Sequence, residues 1–133
     1  MIRNCFYLVA GSILLAGCVS VNETKLINDD RPAQVLRHVV LFKFNDGTTD
    51  KQIRQIENAF CALPSKVDAI YGFEWGTDVS VEDLQQGFTH CFVVTFLSEA
   101  DRAKYIPHPA HKEFGQLLDP YLDKVLVVDY WTK

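Results

Sequence analysis

The sequence lacks the patterns that mark several classes of binding protein and enzyme. Its 13 basic residues form no cluster and are outnumbered by 17 acidic ones, which gives a formal net charge of −4. We therefore expect no nucleic-acid partner. Its 7 glycines form no phosphate-binding loop, and neither a Cys-x-x-Cys nor a His-Glu-x-x-His zinc pattern occurs. We predict that the protein uses no metal and no cofactor.

Histidine is also scarce, and its placement is informative. Two of the 4 histidines lie in one short segment, Tyr105-Ile106-Pro107-His108-Pro109-Ala110-His111, and His38 and His90 fall in strand-like runs. Imidazole titrates near neutral pH and is the usual proton shuttle of enzymes. The segment therefore indicates a candidate site. Purely structural roles remain the alternative for each histidine and for the tyrosine.

Residues 1–17 predict a secretory signal peptide. Arg3 supplies a positive charge, and the apolar run from Cys5 to Ala16 is shorter than the roughly 20 residues of a permanent membrane anchor. The run ends in Leu15-Ala16-Gly17-Cys18, which resembles the bacterial lipobox. That resemblance implies cleavage before Cys18 and lipidation of its thiol. A chance cysteine after an ordinary secretory signal is the alternative.

The rest of the chain is expected to be a lipid-anchored domain on the periplasmic side of the cell envelope. Residues 18–34 hold the lipidated cysteine and a polar, aperiodic tether, and residues 35–133 form one domain. Val19, rather than an aspartate, follows the cysteine, which favours the outer membrane. Strand parity places Cys61 and Cys91 on opposite sides of a sheet, so we expect no disulfide between them.

The pattern of apolar residues predicts a βαββαβ order, an α+β fold. The sequence favours strands at 38–44, through Tyr71, Phe73 and Trp75, at 88–96 and at 125–131. A helix should begin after Thr49, with Gln52 completing a capping box, and end at Pro64. A second helical segment should begin after Ser98, break at Pro107 and Pro109, and resume from 110 to 118.

Both faces of the third and fourth predicted strands are largely apolar. A sheet covered by helices on one side should be polar on the other. The simplest cover for an apolar second face is another copy of the same sheet. We therefore predict a homodimer, closed by packing of sheet against sheet.

Five motifs in order resemble the stress-responsive dimeric α/β-barrel (Dabb) family. They are Arg37-His38-Val39-Val40-Leu41-Phe42-Lys43-Phe44, Phe73-Glu74-Trp75-Gly76, Gly87-Phe88-Thr89-His90, His108-Pro109-Ala110-His111 and Val127-Val128-Asp129-Tyr130-Trp131. The resemblance implies a ferredoxin-like βαββαβ domain that pairs into a dimeric α/β barrel. This agrees with the parity of the strands.

One branch of that family consists of cofactor-free polyketide cyclases, which close a ring by intramolecular aldol condensation. By position in the motifs, the resemblance implies that Tyr105 and His111 are catalytic. A periplasmic location argues against thioester-linked polyketide substrates, which are made in the cytoplasm. The remaining candidates are ligand-binding residues on one sheet face or in the helix break: His38, His90, His108, Phe42 and Phe92.

Three functions fit these features. The first is binding of a small apolar or aromatic compound in a pocket lined by histidine and tyrosine. The second is cofactor-independent acid–base catalysis on a carbonyl substrate, as in a cyclase, isomerase or lyase. The third is a structural role in the envelope that uses the dimer face alone.

Overall fold

Four antiparallel strands form one sheet in the order β2–β3–β1–β4. The computed structural model describes residues 32–133, so the signal peptide, Cys18 and most of the tether lie outside the described residues. The strands are β1 (Leu36–Phe44), β2 (Gly72–Thr77), β3 (His90–Phe96) and β4 (Leu122–Trp131). The helices are α1 (Asp50–Cys61), α2 (Glu99–Tyr105) and α3 (Pro109–Leu118), with 3₁₀ turns at Leu63–Ser65 and Asp119–Tyr121.

This order of elements and strands is the ferredoxin-like fold, and the βαββαβ prediction is confirmed. Several strand ends differ from the prediction. β1 begins two residues earlier, at Leu36, and β2 runs from Gly72 to Thr77 and leaves out Tyr71. β3 begins at His90 rather than at 88, because Gln86 and Gly87 take positive φ values of 54° and 81° in the preceding turn. β4 begins three residues earlier than predicted, at Leu122.

Both predicted helix caps are present. The Thr49 side chain accepts a hydrogen bond from the Gln52 backbone N–H, and the Gln52 side chain accepts one from the Thr49 backbone, which completes the capping box of α1. The Ser98 hydroxyl accepts a hydrogen bond from the Asp101 N–H at the start of α2. These bonds satisfy N–H groups that the first turn of a helix otherwise leaves unpaired.

The helices cover one face of the sheet, here called the inner face. Alternation along the strands places His38, Val40 and Phe42 of β1 on this face, with His90 and Phe92 of β3. Ile56 and Phe60 of α1, Tyr105 of α2 and Phe114 of α3 pack against it to form the core. None of the helices within residues 32–133 is long and apolar enough to cross a membrane.

The opposite face, here called the outer face, carries a contiguous apolar patch that none of the helices of residues 32–133 covers. Register places the side chains of three neighbouring strands side by side on it: Val39 and Leu41, Cys91 and Val93, Leu126 and Val128. Leu126 and Val128 are 41% and 48% exposed. Cys91 lies on this face and the free Cys61 ends α1, as strand parity predicts.

Candidate functional site

The break between α2 and α3 is built by its two prolines and His108. Pro109 is the first residue of α3, where its missing N–H would have had no partner within the helix. His108 is the N-cap residue, and its Nδ1 accepts a hydrogen bond from the Ala110 N–H at 3.2 Å. The imidazole of His108 therefore stabilises the start of α3.

The break brings Tyr105 and His111 together, with ring centroids 4.3 Å apart. Tyr105 ends α2 and is fully buried. Its hydroxyl has no hydrogen-bond partner among residues 32–133, an arrangement that costs about 1–3 kcal/mol for a buried polar group. Burial raises the pKa of Tyr105, which keeps the phenol protonated and able to donate a hydrogen bond.

The hydrogen bond of His111 identifies its proton-bearing nitrogen. Nδ1 lies 3.0 Å from the carbonyl oxygen of Ile106, an oxygen left free by the helix break. A carbonyl can only accept, so Nδ1 donates. In the neutral ring, Nε2 then carries the lone pair and is the nitrogen that can take a proton.

The surroundings of His111 favour that neutral form. Burial lowers the pKa of His111, and the nearby His38 and His108 act in the same direction, while the hydrogen bond to Ile106 opposes them. Desolvation acts this way because it penalises the charged imidazolium. At neutral pH the ring is therefore a base rather than a cation.

Tyr105 and His111 border a cavity of about 480 Å³ between the inner face and the two C-terminal helices. Its walls are mainly apolar, and they include Val40, Phe42, Phe60, Phe114, Leu118, Leu122, Val125 and Val127. The inner side of β4 is left open by the helices, so Val125 and Val127 remain about half exposed. A cavity of this size and composition suits a small organic molecule.

A second histidine lines the same cavity. His38 is 6% exposed, and its Nδ1 lies 2.7 Å from Asp129 Oδ1. The other carboxylate oxygen, Oδ2, lies 2.8 Å from Arg102 Nη1. One carboxylate on β4 thus joins a histidine on β1 to an arginine on α2.

The charged residues of the cavity wall are of one sign. Asp119 and Asp129 line it, and no Lys or Arg of residues 32–133 does so. Within the same residues, no group of three or more potential metal ligands lies close enough together to hold an ion. The wall therefore offers one phenol, two imidazoles and two carboxylates.

Four of the predicted site residues meet here: Tyr105, His111, His38 and Phe42. Phe92 is fully buried behind the cavity, stacked 4.3 Å from Phe60. His108 caps α3 and does not line the cavity.

His90 lies elsewhere on the inner face. Its Nε2 is 3.0 Å from Glu57 Oε1 and its Nδ1 is 2.8 Å from Thr89 Oγ1. It borders a separate depression of about 450 Å³ beside the loop of residues 78–88. Both ring nitrogens are thus engaged by neighbouring side chains.

Sequence reasoning missed Asp129 and Arg102. Asp129 had a signal, because it is the one charged residue in the apolar run from Val125 to Trp131. A lone carboxylate in an apolar strand indicates a hydrogen-bond or ion-pair partner on a neighbouring element. Arg102 had no such signal, since it sits on a helix that carries charges on several sides.

Comparison with known proteins identifies the family of this fold. The sequence profile of the stress responsive A/B barrel domain, or Dabb domain, matches residues 36–132. The chain belongs to the Dabb family. The match includes all four strands and all three helices of the described Dabb domain.

Three relatives of this Dabb protein are informative. The stress-response A/B barrel domain-containing protein HS1 of Arabidopsis thaliana is 43% identical over 95 residues, covering 71% of this chain and 87% of HS1. Olivetolic acid cyclase of Cannabis sativa is 33% identical over 95 residues, covering 71% of this chain and 94% of the cyclase. The solved structure of hydroxynitrile lyase from Passiflora edulis has a TM-score of 0.71 at 32% identity, covering 77% of this chain and 96% of the lyase.

Another solved structure is relevant to the oligomeric state. A protein from Bacteroides fragilis with a ferredoxin-like fold is described as dimeric. It has a TM-score of 0.60 at 26% identity and covers 72% of this chain and 94% of its own.

Proposed function

We propose that this Dabb protein is a cofactor-independent acid–base enzyme acting on a small, uncharged and largely apolar carbonyl compound. His111 is the general base, and Tyr105 donates a hydrogen bond to the carbonyl oxygen. The observation that carries the proposal is the pairing of the two groups. Within residues 32–133, an imidazole whose Nε2 makes no hydrogen bond and a buried phenol without a partner meet at one apolar cavity.

The proposed chemistry begins with proton transfer from carbon. His111 Nε2 takes a proton from the carbon next to the carbonyl, and the C–H electron pair moves into the enolate. The hydrogen bond from Tyr105 stabilises the charge that develops on oxygen. In one outcome the enolate attacks a second carbonyl, and the imidazolium protonates the alkoxide that forms. In the other, the imidazolium protonates the enolate at a different position, which gives an isomer.

This chemistry requires a small opening of the cavity wall. The Tyr105 hydroxyl is inaccessible to water in this structure. A carbonyl oxygen therefore reaches it only after nearby side chains move. Catalytic hydrogen bonds commonly tighten in this way when a substrate binds.

The charges of the wall restrict the substrate. Arg102 offsets the charge of Asp129, but Asp119 repels carboxylates and phosphates, and no described Lys or Arg lines the wall to bind them. Coenzyme A and carrier-protein thioesters carry phosphate groups, so they are poor candidates. The proposed periplasmic location, away from cytoplasmic thioesters, leads independently to the same exclusion.

The relatives support an enzyme, because two of them are named for reactions, a cyclase and a lyase. Ligand binding without turnover is the second candidate. It is favoured by the hydrogen bonds of His108 and His111 at the helix break, which helix capping alone would explain.

The test is proton exchange at carbon. 4-Phenylbutan-2-one in heavy water is incubated with the full-length protein in detergent, and NMR follows loss of the protons next to the carbonyl. We expect exchange above the rate in buffer with the neutral ketone and no binding of 4-phenylbutanoate, a charged compound of similar shape. Ketone binding without exchange would favour the binding-only candidate, and the absence of both would contradict both candidates.

We also propose that two copies of the domain pair through the outer face. The six apolar residues of that face are neighbours on three strands and form one continuous patch, a feature that commonly marks a protein–protein interface. The dimeric relative from Bacteroides fragilis supports the pairing. Val128→Asp places a charge within this patch and should convert the dimer to monomer. Sedimentation in detergent measures this, and Ala103→Asp, on the exposed side of α2, is the matched control that should stay dimeric.

The proposed location is the periplasmic side of the outer membrane, with the chain anchored through lipid on Cys18. The lipobox-like sequence before Cys18 supports this proposal. Labelled palmitate should enter the wild-type protein and not the Cys18→Ser variant. Equal labelling of the two would contradict lipidation at this cysteine.

A further inference from the structure

His38 is held in one tautomer by its neighbour on β4. β1 and β4 pair so that His38 lies directly opposite Asp129. The 2.7 Å contact joins His38 Nδ1 to a carboxylate oxygen. A carboxylate only accepts, so Nδ1 carries a proton and donates. Nε2 is then the nitrogen available to a molecule in the cavity that His38 lines.

The carboxylate of Asp129 is itself fixed by Arg102. Its two oxygens have separate donors, His38 Nδ1 on Oδ1 and Arg102 Nη1 on Oδ2. The side chains of Arg102 and Asp129 are 28% and 32% exposed, so the ion pair is partly shielded from water. Without the arginine, the carboxylate would be free to rotate about its χ angles and to leave the imidazole.

We infer that Arg102 is a positioning residue for a second proton-transfer group, His38. The inference rests on the proposed acid–base function of the cavity. Arg102 holds Asp129, Asp129 holds the Nδ1–H tautomer of His38, and His38 presents Nε2 to the substrate. With a second imidazole, one group can take the proton from carbon while the other delivers a proton to a different atom, and the cavity holds two imidazoles, His38 and His111.

A neighbouring ion pair provides a matched control. Lys104 lies two residues after Arg102 on the same helix, and its Nζ is 3.2 Å from Asp101. This pair does not line the cavity. Lys104→Gln therefore removes a salt bridge from α2 without touching His38, Asp129 or the substrate.

The first measurement is the tautomer of His38, read from side-chain ¹⁵N NMR of the full-length protein in detergent. Wild type and Lys104→Gln should show a protonated Nδ1, and Arg102→Gln should lose that signal to a mixture of tautomers. Arg102→Lys should restore it, because a single N–H donor makes the contact with Oδ2. An unchanged tautomer in Arg102→Gln overturns the inference, whether or not the protein is an enzyme.

The second measurement is the ketone exchange assay. Arg102→Gln should lower kcat about tenfold, as is typical for loss of a group that orients a functional side chain, with KM unchanged. Arg102→Lys should recover most of the rate, and Lys104→Gln should match wild type. A fall in kcat without a change of tautomer indicates a merely structural role and overturns the inference. If wild type shows no exchange, the proposed function fails, and the tautomers alone decide the role of Arg102.

Discussion

Replacing His111 with glutamine should lower the rate of ketone proton exchange by about 10²- to 10⁴-fold, the usual contribution of a general base. Glutamine keeps a side-chain N–H that can donate to the Ile106 carbonyl, as Nδ1 does now. It offers no nitrogen that can take a proton. The rate constant at saturating ketone, measured by NMR, separates this loss from any loss of binding.

The second part of this prediction concerns the pH dependence of the exchange rate. Because burial lowers the pKa of His111, the wild-type rate should stay high at neutral pH. It should fall only below about pH 6.5, the ordinary value for histidine. The acidic limb should be missing from the residual rate of His111→Gln.

The matched control is His108→Asn. Asparagine is a good N-cap residue, so it preserves the start of α3 while removing the other imidazole of the helix break. We expect rates close to wild type and an acidic limb that is retained but moved to slightly higher pH, because His108 contributes to the lowered pKa of His111. A loss of rate in His108→Asn equal to that in His111→Gln would show that the helix break, rather than one base, supports the reaction.

The largest expected effect on stability is that of Phe60→Ala. Phe60 is 1% exposed and packs between β3 and α3, with ring centroids 4.3 Å from Phe92 and 4.6 Å from Phe114. Removing such a ring leaves a cavity and costs about 3–5 kcal/mol. That is a large part of the roughly 5–15 kcal/mol that stabilises a domain.

Urea unfolding followed by circular dichroism measures this loss. Val81→Ala is the control, because Val81 is 97% exposed in the loop before β3. Its free energy of unfolding should stay within about 0.5 kcal/mol of wild type. A cost below about 1 kcal/mol for Phe60→Ala would contradict the central place of the aromatic cluster in the core.

Local patterns in the sequence were sufficient to predict the elements. Thr49 with Gln52 and Ser98 with Asp101 are three residues apart, so their capping bonds depend on nothing beyond one helical turn. Alternation along β3 likewise predicted which side chains face the helices. The start of β3 was missed because positive φ values at Gln86 and Gly87 extend the turn.

The site was only partly predictable from the sequence. Strand alternation predicts which side chains share a face of the sheet, but it does not predict which of them border the same cavity. His38 and His90 both lie on the inner face, but the register pairs His38 with Val94 and Phe42 with His90. The two histidines are therefore separated by four residues along the sheet, or about 13 Å. Only His38 borders the cavity beside β4, and Glu57 of α1 holds His90 at the other end.

Asp129 illustrates a limit of sequence reasoning. Its contact with His38 joins residues 91 positions apart and exists only because β1 and β4 pair in one register. A shift of one residue would turn the carboxylate to the outer face. Arg102 depends further on how α2 packs over that pair, which no short pattern in the chain specifies.

The most direct test of the proposed site is a crystal structure with 4-phenylbutan-2-one bound. We expect the carbonyl oxygen to lie about 2.5–3.0 Å from the Tyr105 hydroxyl, with His111 Nε2 facing the neighbouring carbon and the phenyl ring between Val125 and Phe114. A ketone bound at another place, or in this cavity with its oxygen turned away from Tyr105, would contradict the assignment.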